Sequence, residues 1–257
     1  MTLTLAVVGK GGTGKTTFAA LAVKYLLETG RGPVLAIDAD PASNLNMALG
    51  LELGDTVGQI REDTRDQVVG GTFQSGMSKP DWFQYQVEQC VVEGDELDLI
   101  AMGRPEGPGC YCAANHMLRE AIDRLGNSYK SVVIDNEAGM EHISRQTTRD
   151  VDWLFILSDP SQRGLAAAEQ IVALVNSMGT RIGHSGLIVN RINGEIPPAW
   201  AARAEGLGVP LLGALPQDPE VFRRDAEGLA IAGVDDTSAV YPAVKSILEK
   251  CLAAVSS

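Results

Sequence analysis

The chain has 257 residues, 45% of them hydrophobic and 21% charged, a balance ordinary for a globular protein and too polar for a membrane one. Its formal charge of -12 repels phosphate backbones, and no basic stripe offsets it, so no nucleic-acid partner is expected. No run approaches the roughly 18 consecutive apolar residues that cross a bilayer, and no basic leader or cleavage site precedes residue 9. The expectation is therefore a cytoplasmic protein with no membrane partner. In that compartment Cys90, Cys110, Cys112 and Cys251 do not form a disulfide framework.

In chain order, the first apolar run, 3–8, reads as a buried strand. It leads straight into Gly9-Lys10-Gly11-Gly12-Thr13-Gly14-Lys15-Thr16-Thr17 and a helical stretch over 15–29. The pattern G-x-x-x-x-G-K-T is complete at 9–16, with the strand before it and the helix after it that the motif demands. Its glycines let consecutive backbone N–H groups turn around phosphate oxygens, and the helix N-terminus adds partial positive charge. Lys15 is placed to reach the β- and γ-phosphates, and Thr16 to offer its hydroxyl to Mg²⁺. The second run, 33–38, continues as Asp38-Ala39-Asp40-Pro41, two carboxylates on one side of a strand's carboxyl end. Asp38 is expected to hold Mg²⁺ through water, and Asp40 to orient or deprotonate the attacking water.

The stretch of about 52–95 holds Gly70-Gly71, Gly76, Pro80 and several aromatics, and reads as an irregular insertion at the ligand-binding edge. A strand follows over 97–102, then Cys110-Tyr111-Cys112 at the start of a helix expected over 112–125. Two thiols at that spacing can chelate one soft metal, where a helix N-terminus favours the thiolate, or can be two incidental thiols. The run 131–135 ends in Asp135, the position that holds a metal's water shell downstream of a phosphate loop, and Gly139 would let the segment after it swing. Strands at 152–158, 185–190 and 209–215 alternate with helices at 161–178, 198–206 and 238–254. Short runs of Val, Ile and Leu between helices are strands buried on both faces. The expected fold is α/β, a doubly wound, mostly parallel sheet flanked by helices, as a single domain over 1–257.

Lys10 is not needed to cradle phosphates within its own chain. The residues K-G-G-T-G-K-T-T at 10–17 resemble the deviant Walker A (SIMIBI-type) family of P-loop NTPases, which includes MinD, plasmid partition ATPases and the nitrogenase iron protein. The resemblance implies an ATPase using ATP/ADP and Mg²⁺, with Lys10 crossing a two-fold interface to nucleotide in the partner subunit of a sandwich homodimer. It also implies that Asp38-Ala-Asp40-Pro is the first switch. Asn190-Arg191 would read adenine, and Leu215-Pro216-Gln217-Asp218 would close over the base.

The segments Cys110-Tyr-Cys-Ala-Ala-Asn-His116-Met-Leu-Arg119 and Asp135-Asn-Glu-Ala-Gly-Met-Glu-His142 are similar to the CooC/AcsF group, ATPases that mature carbon monoxide dehydrogenase and acetyl-CoA synthase. That likeness implies Ni²⁺ or Zn²⁺ held between subunits by Cys110 and Cys112 of each, and a client nickel enzyme. His116 and His142 are candidates to assist, while Cys90 and Cys251 read as buried apolar thiols. Two other functions stay open. An iron–sulfur carrier or scaffold ATPase would use the same thiolates, and a MinD/ParA-like spatial regulator would need a basic amphipathic terminal helix. The last helix carries only Lys245 and Lys250 as basic residues.

Overall fold

The computed structural model describes residues 2–71, 76–104, 125–137, 150–177, 181–192, 194–196, 198–235 and 237–255. The short apolar runs become strands because Val, Ile and Leu fill a pleated surface that is covered on both sides. They are β1 (Leu3–Gly9), β2 (Val34–Asp38), β3 (Leu97–Ala101), β4 (Ser131–Asp135), β5 (Asp150–Ser158), β6 (Arg181–Val189) and β7 (Leu211–Ala214). Together they make one sheet in the order β3-β2-β4-β1-β5-β6-β7, each neighbouring pair parallel. The chain steps outward from β1 to β2 and β3, returns to β4, and then crosses to β5 on the other side. That reversal opens a crevice at the carboxyl end of β1, where doubly wound folds bind their ligands.

The helices are α1 (Lys15–Glu28), α2 (Leu45–Leu49), α3 (Val57–Val69), α4 (Lys79–Gln89), α5 (Gln162–Ser177), α6 (Pro198–Gly206), α7 (Pro219–Ala226) and α8 (Val240–Val255). Strand alternation divides the core in two. Leu5 and Val7 of β1 join Phe18, Leu21 and Leu26 of α1 and Val244 and Leu248 of α8. Ala6 and Val8 face the opposite layer, with Leu165 and Ile171 of α5 and Trp200 of α6. α1 is buried along most of its length, and its Phe18 ring lies 5.1 Å from that of Phe155 in β5. Each such side chain removed from water stabilises the fold by about 2 kcal/mol before entropy is counted. The Trp153 indole N–H donates to the Cys251 carbonyl at 3.0 Å, which fastens α8 to the sheet. Burial pushes the Cys90 thiol up to about 12 and that of Cys251 to about 11, so both are inert packing groups, as expected.

The stretch 52–95 departs from the reading of the sequence, because its described residues contain α3 and α4. Each has a side-chain cap: Thr56 accepts from the Gln59 N–H, and Ser78 from the Asp81 N–H. Pro80 lies in the first turn of α4, where its missing N–H costs nothing, so it marks a helix start rather than a break. β5 and β6 begin earlier than expected, and the run 209–215 shortens to Leu211–Ala214. Most of the helix expected over 112–125 lies outside the described residues, together with Cys110, Cys112, His116, Gly139 and His142. Among the described residues no helix is long and apolar enough to cross a membrane.

Candidate functional site

The loop at the end of β1 is shaped by two close approaches. A Cβ on Gly9 would lie 2.3 Å from the Leu157 carbonyl oxygen of β5, so only hydrogen fits there. Gly14, at φ +90°, caps α1 without a side chain and leaves the first amides of the helix free of a side-chain cap. Those amides and the helix dipole form a ready anion site. Between them Thr13 is fully buried, and its hydroxyl donates to the Lys10 carbonyl at 2.7 Å. Gly11 and Gly12 complete the turn, and Thr17 lies in the first turn of α1.

Lys15 is the first residue of α1 and is only 7% exposed. Burial lowers its pKa, while the carboxylates of Asp135, Asp40 and Glu137 pull the other way. Thr16 donates its hydroxyl to Asp135 Oδ2 at 2.6 Å. β2 and β4 are sheet neighbours, and their last residues, Asp38 and Asp135, stand side by side in register. Two nearly inaccessible carboxyls thus share the carboxyl edge of the sheet. Burial drives Asp135 up to about 7, with the Asp38 charge adding to it, and drives Asp38 up to about 6, with Asp40 adding to it. The second oxygen of Asp135 is buried and has no hydrogen-bond partner among the described residues. A cation would satisfy both the orphaned oxygen and the charge repulsion, so the residues present fit Mg²⁺. No group of three or more His, Cys, Asp and Glu side chains among the described residues is arranged to hold a metal by itself. A hydroxyl, a carboxylate, waters and phosphate oxygens are the usual Mg²⁺ set.

Asp40 does not continue the strand, which ends at Asp38. Asp38 Oδ1 accepts the Asp40 N–H at 3.1 Å and Oδ2 accepts the Leu45 N–H at 2.8 Å, so Asp38 also bends the chain toward α2. Asp40 thus lies beyond the strand, while its charge still acts on Lys15 and Asp135. Asp40 sits on a turn, half-buried, with Oδ1 accepting the Ala42 N–H.

The two base-side segments are brought together. Ile192 N–H donates to the Leu215 carbonyl at 3.0 Å, which places Asn190-Arg191 beside Leu215-Pro216. The Asn190 and Asp218 side chains, however, are held by other parts of the chain. Asn190 Nδ2 donates to the Thr13 carbonyl, and Arg191 is exposed with φ +61°. Asp218 Oδ1 accepts the Glu220 and Val221 N–H groups of α7, and Oδ2 accepts the Ser238 hydroxyl and the Val240 N–H of α8. One carboxylate caps two helices, so Asp218 acts here as the brace of the 215–218 loop.

Burial alone would raise the Asp218 pKa, but the hydrogen bonds from Ser238, Val240, Glu220 and Val221 outweigh it and the net shift is downward. Its folded pKa lies below the unfolded value, so its contribution is full above the ordinary carboxylate range near pH 4 and is lost as pH falls through the lowered value. Asp218→Ala is expected to cost about 1–3 kcal/mol at neutral pH. The deficit should shrink in acid, and urea unfolding at two pH values reads both.

Asp159, just beyond β5, carries no signal in the sequence. Its carboxyl is held low by the Ser161 hydroxyl first, against burial, and further by the charges of Lys10 and Arg191. Lys10 is exposed, and only the folded chain places it near Asp159. Asn136 was equally silent; its buried side-chain amide donates to the Val7 carbonyl at 3.0 Å and fixes the exit of β4.

Residues 5–231 match the family described as the CobQ/CobB/MinD/ParA nucleotide binding domain. An uncharacterized ATP-binding protein of Methanocaldococcus jannaschii is 40% identical over 248 residues, covering 96% of this chain and 98% of that one. The carbon monoxide dehydrogenase accessory protein CooC of Rhodospirillum rubrum is 32% identical over 240 residues, 88% of each chain. Among solved structures, the septum site-determining protein MinD of Pyrococcus horikoshii, complexed with Mg-ADP, superposes with a TM-score of 0.70 at 24% identity. It covers 100% of this chain and 99% of that one.

Proposed function

Because this chain belongs to the CobQ/CobB/MinD/ParA nucleotide-binding family, we propose that it is an ATPase that works as a nucleotide-sandwich homodimer and matures a nickel enzyme. The parallel sheet and the complete loop at 9–16 are those of a deviant Walker A P-loop NTPase. In our reading the amides of Gly9–Thr17 and the α1 N-terminus hold the phosphates, and Lys15 neutralises the β- and γ-groups. Thr16, Asp38 and Asp135 would hold Mg²⁺, which when bound offsets charge on the phosphate oxygens. Asp40 orients the attacking water, and Lys10 acts across the dimer. The observation supporting this assignment is the Thr16–Asp135 hydrogen bond beside a buried, unpartnered carboxylate oxygen.

The client reading rests on the 32% likeness to CooC over 88% of each chain, combined with Cys110-Tyr-Cys112. Two C-x-C pairs related by a two-fold axis make a four-thiolate site for Ni²⁺ or Zn²⁺, which is the cargo. The recipient would be carbon monoxide dehydrogenase or acetyl-CoA synthase. The protein is expected to bind roughly one metal ion per dimer, with occupancy that changes on adding ATP. Cys110→Ser with Cys112→Ser should abolish this binding while leaving ATP binding intact. Elemental analysis alongside molecular mass in solution, with and without ATP, reads both. Metal retained by the double variant would remove the site assignment, and visible absorbance of the purified protein would favour an iron–sulfur carrier instead.

A second reading, a MinD/ParA-like spatial regulator, has the full-length likeness to MinD in its favour, although at 24% identity that likeness speaks to the fold. It predicts ATP-dependent pelleting with liposomes or DNA. The metallochaperone reading predicts neither.

A further inference from the structure

α7 turns an apolar stripe to solvent. Phe222 is 76% exposed, Ala226 lies one turn on, and Leu229, 43% exposed, continues the spacing i, i+4, i+7 just past the end of the helix. The opposite side of α7 is the one that packs. Val221 lies against the core shared by α1 and α8, and the Arg224 guanidinium donates to the Ala230 and Gly233 carbonyls at 3.1 and 2.6 Å. The Leu229 N–H donates to the Arg224 carbonyl at 2.8 Å, which holds the last residue of the stripe in place. Next to it, Ala230 abuts the end of α2, where a Cβ on Gly50 would lie 2.9 Å from the Ala230 Cβ. One turn earlier on α2, Met47 is 57% exposed. A single apolar residue on a surface means little, but a phenylalanine, a leucine and a methionine on adjoining elements make a patch.

The rim of this patch is acidic. Asp225 and Glu227 border the stripe, Glu52 follows α2, and all three are exposed. Neither arginine of α7 offsets them: Arg223 is held between Glu220, at 2.8 Å, and Glu227, while Arg224 is turned onto its two carbonyls. Asp225 forms no ion pair among the described residues. We infer that Phe222, Ala226 and Leu229 of α7, with Met47 of α2, form a docking surface for a partner protein's amphipathic helix that carries Lys or Arg beside its apolar face. The stripe supplies the anchor, and the acidic rim selects the sign of the partner, as the -12 charge of the whole chain does at longer range. The same rim repels anionic lipid headgroups, and a second copy of this chain would set like charges against each other. Both helices that carry the face are capped from the crevice. Asp218 accepts the Glu220 and Val221 N–H groups of α7, and Asp38 accepts the Leu45 N–H of α2. A ligand that draws on either carboxylate therefore moves the face, a link that rests on the nucleotide reading of the crevice.

The test titrates the full chain into a fluorescent model peptide of leucine and lysine at helical spacing, and into a twin with glutamate in place of lysine. Anisotropy is expected to show binding of the lysine peptide and not of the glutamate one. Phe222→Ser should weaken the lysine peptide by about tenfold or more, and Asp225→Lys by about threefold. Both replace exposed side chains, so melting temperature and the calorimetric affinity for Mg²⁺-ATP should match the parent's. Adding Mg²⁺-ATP should shift the parent's peptide affinity by about threefold or more. Equal peptide binding by the parent and Phe222→Ser would reduce the effect to charge attraction alone. Weaker ATP binding by Phe222→Ser would place the ring in the nucleotide site. Loss of self-association in that variant, read by sedimentation, would give the face to a second copy, and loss of binding to phosphatidylglycerol vesicles would give it to a membrane. Each of these four results overturns the inference. Peptide affinity indifferent to nucleotide in a protein that binds ATP would remove the link to the crevice. A parent that binds no ATP would instead remove the nucleotide reading, while the peptide titrations still decide the docking surface.

Discussion

Asp135→Asn is expected to stabilise the ligand-free protein and, at the same time, to cut Mg²⁺-dependent ATP hydrolysis by about 10²–10³-fold. Both effects come from one arrangement. Asp135 is 1% exposed and lies beside Asp38, so its ionised form is disfavoured and its pKa rises to about 7. A carboxyl whose folded pKa exceeds its unfolded value binds more protons in the folded state. Stability therefore declines as pH rises from about 4 through 7, and the ionised group is a net cost at pH 8. The substitution removes the charge yet keeps an oxygen to accept from the Thr16 hydroxyl, now 2.6 Å from Oδ2. The melting temperature should rise by roughly 3–8 °C at pH 8, and the gain should vanish near pH 5, where the carboxyl is already protonated. What is lost is the anionic oxygen that fits Mg²⁺. A variant less stable than the parent at pH 8, or one that hydrolyses ATP normally, would refute this account.

Lys10→Ala should leave the fold and nucleotide binding nearly unchanged but reduce hydrolysis by about 10³-fold, the scale of a cationic finger supplied in trans. The side chain of Lys10 is exposed, and it is its backbone carbonyl, not its ammonium, that the Thr13 hydroxyl and N–H grip. The turn therefore survives truncation, and the affinity of a single subunit for Mg²⁺-ATP should stay within about threefold. Mixing makes the test sharper. A Lys10→Ala subunit retains Asp40 and its own loop, while an Asp40→Ala subunit retains Lys10. Random assortment should restore about a quarter of the parental rate, because half the dimers are mixed and each has one complete site. No recovery on mixing would mean that Lys10 serves its own chain.

The alternation of apolar runs with helical stretches was enough to read the doubly wound sheet, because strands covered on both faces cannot also carry polar residues. Two short helices with proline in the first turn, α4 and α7, were missed. Pro80 and Pro219 both occupy first turns, behind the caps Ser78 and Asp218, and a proline there starts a helix as often as it breaks one. The cap-and-acid spacing of Ser78 and Asp81 was the usable signal. Asp218 drew attention as part of a base-side loop, yet the partner that explains it, Ser238, lies 20 residues on, just before another helix.

The glycine loop, Lys15, Thr16 and the strand-ending Asp38 and Asp135 could be named from the sequence alone. Each is a local pattern: a loop between strand and helix, or a carboxylate where an apolar run stops. Their chemistry could not be read that way, because it depends on which strands are neighbours. Only the order β2-β4-β1 sets Asp38 beside Asp135 and Asp135 within reach of Thr16, and burial at that edge shifts the protonation of both carboxyls toward neutrality. The hydrogen bond from Asn190 to Thr13 is likewise a product of packing, since residues 177 positions apart meet through the crossing of the chain and not through any pattern along it.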